Sequence, residues 1–339
     1  MIVFEFHKGL PVEYESFLKE KYDSYIITCR YIEIYYPTYD INYFLVYIDS
    51  QLVDVIIFGN SGNTSQCFNS LANIDQNVIN ELIKKIFDKY NQIKKIIIDA
   101  SYRSYTINKS FLLCKSDDHI LFLPATMDEY YNELGYHTRK NIRSRKKKLS
   151  NDFENLNFAI KTGIEVDETL TDKIIQLNCE RLKKKGIKPQ SDKLERNNIY
   201  RYSQQYGCVT CLEINGEIVA GCISTIVNKG IFVHVISFDN NFSKYNVGEV
   251  CVFQLIQNSI EKGLTTIHFL WGETELKKRL LAKPQILYSY LIFRAYSFDY
   301  ILSKTKTIFI RLFVEFKLSK LTLPFRNVIK YFRKRYYKV

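Results

Sequence analysis

The chain has 339 residues, 46% apolar and 25% charged, enough for a proper core in one large or two medium domains. It has no stretch of about 18 uncharged apolar residues, which excludes a helical membrane span; the nearest approach, 286–302, contains Arg294 and Asp299. The net charge of +12 is concentrated: residues 139–148 hold seven Lys/Arg and no acid, residues 304–339 hold eleven and only Glu315, and the remainder is mildly acidic. Basic patches of this kind attract phosphates, nucleic acid, anionic lipid or an anionic sugar polymer. The first eight residues are broken by charge too early for a signal peptide.

Two apolar runs, Phe44–Ile48 and Leu52–Phe58, flank Asp49-Ser50-Gln51 and predict a hairpin. Residues 59–65 (Gly-Asn-Ser-Gly-Asn-Thr-Ser) read as a loop. From Asp75 to Asn91, apolar residues fall at 78, 79, 82, 83, 86 and 87, a helical period. Lys95–Ala100 reads as a buried strand and Ser110–Phe122 as a strand pair. Thr126 with Glu129 three residues on predicts a capped helix start. Gly135 interrupts that helix, and a basic helix follows over Thr138–Leu149. Phe158–Lys161 is a strand; Thr171–Lys184 is helical, ending near Gly186, and Pro189–Tyr206 holds a further helix. A second hairpin pairs Val209–Ile214 with Glu217–Ser224 across Asn215-Gly216, a type I′ signal.

The densest information follows. A strand, Ile231–Phe238, leads through a turn at Lys244–Gly248 into an apolar helix ending near Lys262. The next strand runs from Thr265 to Trp271 and meets Gly272, with Lys277 five residues beyond. A turn and first helical turn between two strands offer free N–H groups and a positive helix end to an anion. Past residue 295 the chain is aromatic and basic. Phe309, Leu312, Phe313 and Phe316 against Arg311, Lys317 and Lys320 predict an amphipathic helix, which either packs on the body or lies on an anionic membrane. The eight cysteines are scattered. Cys208-Val-Thr-Cys211 lacks a second pair at metal-ligand spacing, so we read them as core residues in a reduced, cytosolic setting and expect no metal.

Three segments in this order, Thr138–Leu149, Tyr245-Asn-Val-Gly248 and Phe269-Leu-Trp-Gly272 with Lys277, resemble the GNAT superfamily. The resemblance is to its polysaccharide-biosynthesis branch, itself similar to the tandem-GNAT peptidoglycan aminoacyl transferases, and covers roughly residues 126–283. It implies an α/β fold: a mixed, mostly antiparallel GNAT-type sheet flanked by helices, in two tandem halves. Residues 1–125 would be a degenerate first half, 126–300 the acyl-CoA-binding half and 301–339 a basic tail. Only one clear glycine, Gly248, stands in the cofactor turn, and Leu276 occupies a position often aromatic in that branch.

The resemblance further implies an acyltransferase moving an acyl group from acetyl-CoA or another acyl-CoA to an amine or hydroxyl. Lys244, Tyr245, Asn246, Val247 and Gly248 would hold the pyrophosphate, with Val235 beside the pantetheine. Removing a proton from the nucleophile needs a base. His234, Asp239 and Glu273 are the candidates; a core histidine and solvated loop acids are the competing readings. Arg139, Arg143, Trp271 and Lys277 are candidate substrate contacts, and Arg139, Arg143 and Lys147 share a helical face at i, i+4, i+8. The expected acceptor is a nucleotide- or lipid-linked sugar or a polysaccharide, handled in the cytoplasm at the inner face of the membrane. Two other readings stay open: aminoacyl transfer from tRNA to a wall precursor, and a non-catalytic nucleic-acid-binding protein. Nucleic acid is the less expected partner because no reader signature is present.

Overall fold

The computed structural model describes residues 2–184, 186, 192–271 and 275–294. In chain order these give β1 (Ile2–Lys8), α1 (Glu15–Tyr22), α2 (Cys29–Tyr35), β2 (Asp40–Ile48), β3 (Gln51–Ser61), β4 (Thr64–Cys67), α3 (Gln76–Lys89), β5 (Lys95–Ser101) and β6 (Ser110–Phe122). Then come α4 (Met127–Glu133), α5 (Tyr136–Asp152), β7 (Leu156–Thr162), α6 (Glu168–Lys184), α7 (Lys193–Tyr206), β8 (Gly207–Ile214), β9 (Glu217–Val227) and β10 (Gly230–Phe238). A 3-10 turn (Asn240–Tyr245), α8 (Val247–Glu261), β11 (Thr266–His268), α9 (Glu275–Arg279) and β12 (Lys283–Phe293) complete the order. The tail expected at 301–339 lies outside the described residues.

The hairpins form where turn chemistry places them. Asp49 and Ser50 both adopt positive φ (48° and 66°), as do Asn215 and Gly216 (53° and 80°), the backbone a two-residue type I′ turn requires. Residues 59–65 differ from the loop expected. β3 runs on to Ser61, and a turn at Gly62-Asn63 returns the chain as β4, because backbone pairing overrides a polar composition. Ser110–Phe122 is one 13-residue strand rather than two; β12 pairs along nearly its whole length, through one register shift at Ser289/Tyr290. Thr126 and Glu129 complete the capping box of α4. In α5 the buried Thr138, Ile142 and Leu149 make a narrow inner stripe, leaving Lys140, Arg143, Lys147 and Lys148 outside.

Among the described residues the strands form one sheet in the order β1-β2-β3-β4-β5-β12-β6-β11-β10-β9-β8-β7. Only β4–β5 and β10–β11 are parallel neighbours. Read inward from either edge, the sequence of pairings is the same: three antiparallel steps, one parallel step, one antiparallel step, then the central β6–β12 pair. The two halves are joined by exchange. β6 precedes residue 125 yet pairs with β11, and β12 lies late in the chain yet pairs with β5. Ile231, Val233, Ile267 and Phe269 pack with the buried face of α8. The opposite face at this point carries Phe232, Leu270 and Leu287 against Tyr25 and Tyr202. No helix among the described residues is long and apolar enough to cross a membrane.

Candidate active site

β10 and β11 pair over only three residues, Gly230–Phe232 with Thr266–His268. β10 continues to Phe238. The chain after β11 instead stays with β6, where Phe269 N–H donates to the His119 carbonyl. The two parallel strands therefore part immediately after Phe232 and His268. A bulge at Val233/Val235 in the β9–β10 ladder lies next to the fork, with His234 as the extra residue. It reverses the strand's faces. Val235 packs with the α6 cluster, while Ile236 and Phe238 turn toward α8. The fork leaves β10 beyond Phe232 without a strand neighbour on that side, which suits an extended ligand adding itself to a sheet edge.

α8 starts beside the fork. Its N-cap, Asn246, is left-handed (φ 52°) and makes no side-chain cap, so the N–H groups of Val247 and Gly248 have no capping side chain. Exposed Lys244 and Asn246 flank this end, and Lys148 of α5 lies over the Tyr245 ring at 5.1 Å. An anion fits that combination. At Gly248 a Cβ would meet the Phe238 ring at 2.7 Å, so the glycine also serves helix–strand packing. Tyr245 is buried, and its phenol donates to Asp152 at 2.7 Å, so it anchors α5 to the turn. Val247 is buried.

The sequence reading missed Glu249. It sits in the first turn of α8, 8% exposed, between Arg145 (2.6 Å) and Arg279 (2.9 Å). A buried carboxylate held by two guanidiniums ties α5, α8 and α9 together and leaves a net positive charge at the helix start. Nothing short of the folded packing brings residues 145, 249 and 279 together.

The base candidates fare differently. His234 Nε2 lies 3.0 Å from the Thr225 hydroxyl and its ring stands edge-on to Tyr25, 4.8 Å away. Burial pushes its pKa down to about 4, so it is neutral at physiological pH and a weak proton acceptor. Asp239 caps the 3-10 turn, its carboxylate accepting from the Asn241 N–H at 2.8 Å. Glu273 lies outside the described residues.

Lys277 is buried, and its ammonium donates to the carbonyls of Phe269, Leu270 and Trp271 at 2.9, 3.1 and 3.0 Å. Instead of projecting toward a substrate, it clamps the chain that leaves the fork. Burial lowers its pKa to about 8, opposed by the charge of Asp118. Trp271 is half-buried in the tyrosine cluster.

Arg139 spends Nη1 on the carbonyls of Tyr131 and Asn132, at 3.0 and 3.3 Å. Arg143 lies over the Tyr131 ring. With Tyr136 and Lys140 these arginines line an open depression of about 250 Å³ at the start of α5. Lys147 is exposed farther along. Cys208 and Cys211 are buried, and no metal-holding cluster of His, Cys, Asp or Glu occurs among the described residues.

Residues 137–278 match the family described as Acetyltransferase (GNAT) domain. Residues 137–278 thus form a GNAT-type acyltransferase domain. That domain spans α5 to α9 and so contains the forked strands and the uncapped helix. No curated protein matches. Among solved structures, FemX shares the fold with a TM-score of 0.61 at 10% identity, over 84% of this chain and 96% of that one. A conserved protein of unknown function from Bacteroides thetaiotaomicron VPI-5482 has a TM-score of 0.54 at 15% identity, over 86% and 99%. Both extend well beyond the GNAT domain, so the likeness of fold takes in the N-terminal half as well.

Proposed function

We propose that the chain transfers an acyl group, acetyl in the simplest case, from a CoA thioester to an amino or hydroxyl group of a sugar in cell-surface polysaccharide assembly. The observation that carries this reading is the fork after Phe232 and His268, set beside the uncapped, cation-flanked start of α8. The donor's pantetheine amides add to the open edge of β10. Its pyrophosphate takes the N–H groups of α8 with Lys244. The thioester then lies where the strands part, next to half-buried Trp271 and the tyrosine cluster, whose rings and hydroxyls suit a sugar. The acceptor's anionic carrier, nucleotide or lipid diphosphate, meets the depression lined by Arg139 and Arg143.

Calorimetric titration with acetyl-CoA tests the donor site. Lys244 is exposed, so Lys244→Glu preserves the fold while reversing charge at the helix start. Its affinity is expected to fall about tenfold, with weaker binding at higher salt in the parent chain. Equal affinity in both chains would remove the pyrophosphate from this turn.

A second reading, aminoacyl transfer from tRNA, draws on one observation. The exposed Lys140, Arg143, Lys147 and Lys148 of α5 form a stripe with no ion-pair partner among the described residues. Indifference to acetyl-CoA together with RNA binding that weakens steeply with salt would favour it.

A further inference from the structure

The most unusual polar arrangement near the fork involves none of the expected bases. Asp118, on β6, has a fully buried carboxylate. Its Oδ2 receives the Tyr102 hydroxyl at 2.8 Å and lies 2.7 Å from His268 Nδ1. Its Oδ1 has no hydrogen-bond partner among the described residues. Leaving a carboxylate oxygen buried and unpaired is costly, and apolar packing would remove that cost. Asp118 is acceptor-only, so the imidazole donates through Nδ1–H and presents Nε2 as a bare lone pair. The imidazole stacks on Phe232, 4.4 Å between centroids and 20° between planes. Nε2 has no partner among the described residues. His268 is also the last β11 residue paired with β10 before the strands part.

We propose that His268 is the catalytic base of acyl transfer, with Asp118 and Tyr102 as positioning residues that fix its tautomer. This rests on the acyl-CoA reading above and names the group that reading left open. As the acceptor nitrogen or oxygen attacks the thioester carbonyl, its bond to carbon forms and His268 Nε2 takes its proton. The carbon–sulfur bond then breaks, and the departing thiolate is protonated by the imidazolium or by water. The buried carboxylate behind the ring stabilises the imidazolium as it forms. His234, neutral and bonded to Thr225, makes the wall beside it. The apparatus spans both halves of the fold: Asp118 and Tyr102 come from the N-terminal segment and His268 from the GNAT domain. A degenerate first half thus supplies part of the chemistry of the second.

The groups facing His268 are Asp118 from β6, Tyr102 following β5, Asp23 following α1 and Phe232 from β10. Lys277 of α9 lies close enough to Asp118 to feel its charge. Burial, followed by the charge of Asp118, raises the Tyr102 pKa, so its phenol remains a donor throughout the working range. Removing the Asp118 charge withdraws support for the imidazolium. Removing the Tyr102 hydroxyl concentrates that charge on the His268 bond. The two changes therefore move proton uptake at Nε2 in opposite directions, which loss of packing alone would not do.

The test uses diethyl pyrocarbonate on the full chain, with modification at each histidine followed by peptide mass mapping across pH. The exposed His137 serves as internal reference. His268 is expected to be labelled, and saturating acetyl-CoA to protect it. In Asp118→Asn its plateau rate should fall about tenfold and its midpoint drop by about one pH unit; in Tyr102→Phe the midpoint should rise. An inert His268 beside a labelled His137, or midpoints unmoved in both variants, would overturn the proposal. Should Asp118→Asn not fold, the absence of a rise in Tyr102→Phe is sufficient to reject it. Variant-dependent labelling that acetyl-CoA leaves unprotected would instead bring down the acyl-CoA reading, and with it a base role toward that donor, while leaving the dyad standing.

Discussion

A Lys277→Met chain is expected to lose about 1–3 kcal/mol of stability and most of its affinity for acetyl-CoA. Methionine keeps the apolar stem but takes the ammonium donor from three carbonyls, those of Phe269, Leu270 and Trp271, of which only Leu270 keeps another, the His119 N–H. The cost stays moderate because a buried ammonium is itself expensive to maintain. The functional effect is larger because those carbonyls belong to the chain leaving the fork, where Leu270 is already in the left-handed region at φ 53°. Once released, the backbone can relax toward β10 and close the gap. Denaturant titration and calorimetry measure the two effects; unchanged values for both would mean that the clamp holds nothing.

The same residue gives stability a pH dependence with a definite sign. Its folded pKa, about 8, is below the ordinary lysine value. The unfolded chain keeps the proton up to about 10.4, whereas the folded chain releases it earlier. Between those values the unfolded state binds more protons, so the Lys277 contribution to stability rises with pH. Across that window the stability of the parent chain measured against Lys277→Met, by denaturant midpoints, should rise with pH, because the buried cysteines and tyrosines, whose raised pKa values pull stability the other way, are common to both chains. Parallel profiles would contradict the assignment.

Glu249→Gln carries the second large effect. The carboxylate is 8% exposed and is approached by Arg145 at 2.6 Å and Arg279 at 2.9 Å. Its removal leaves two guanidiniums facing each other at the start of α8, and about 2–4 kcal/mol of stability should be lost. The same change adds positive charge where the donor pyrophosphate is proposed to bind, so acetyl-CoA should bind more tightly while the fold weakens. Loss of both together would place the phosphates elsewhere. A double-mutant cycle with Arg145→Met isolates the Arg145–Glu249 pair, since Arg279 remains in both backgrounds.

Much of the architecture was legible in local patterns. The Asn215-Gly216 turn, the apolar period of 78–87 and the Thr126–Glu129 box each depend on residues within a few positions of one another. These elements stand where the sequence places them, to within a few residues at each end. The GNAT domain was legible for a related reason: a strand, a turn, a helix and a second strand follow one another directly in residues 231–268. β1, α1 and α2 were not read, since their burial patterns are irregular and their apolar residues are completed by distant partners.

The candidate site divides along the same line. The turn at 244–248 was visible because backbone N–H groups at a helix start depend on local chain direction alone. The packing of its glycine was not visible, because the Phe238 ring that meets a Cβ there reaches it only after β10 folds back on α8. Lys277, taken as a substrate contact, was turned inward by carbonyls that face one way only once β11 has left β10.

By itself, then, the sequence determined the local elements and the order of the GNAT domain, because propensity, capping and turn geometry act over a few residues. The tertiary structure alone decided which side chains meet: Asp118 with His268, 150 residues apart, and Arg145 with Glu249 and Arg279. Those contacts arise from strands exchanged between the halves and from helices stacked on them, and charges so far apart in the chain acquire partners only when the sheet between them closes.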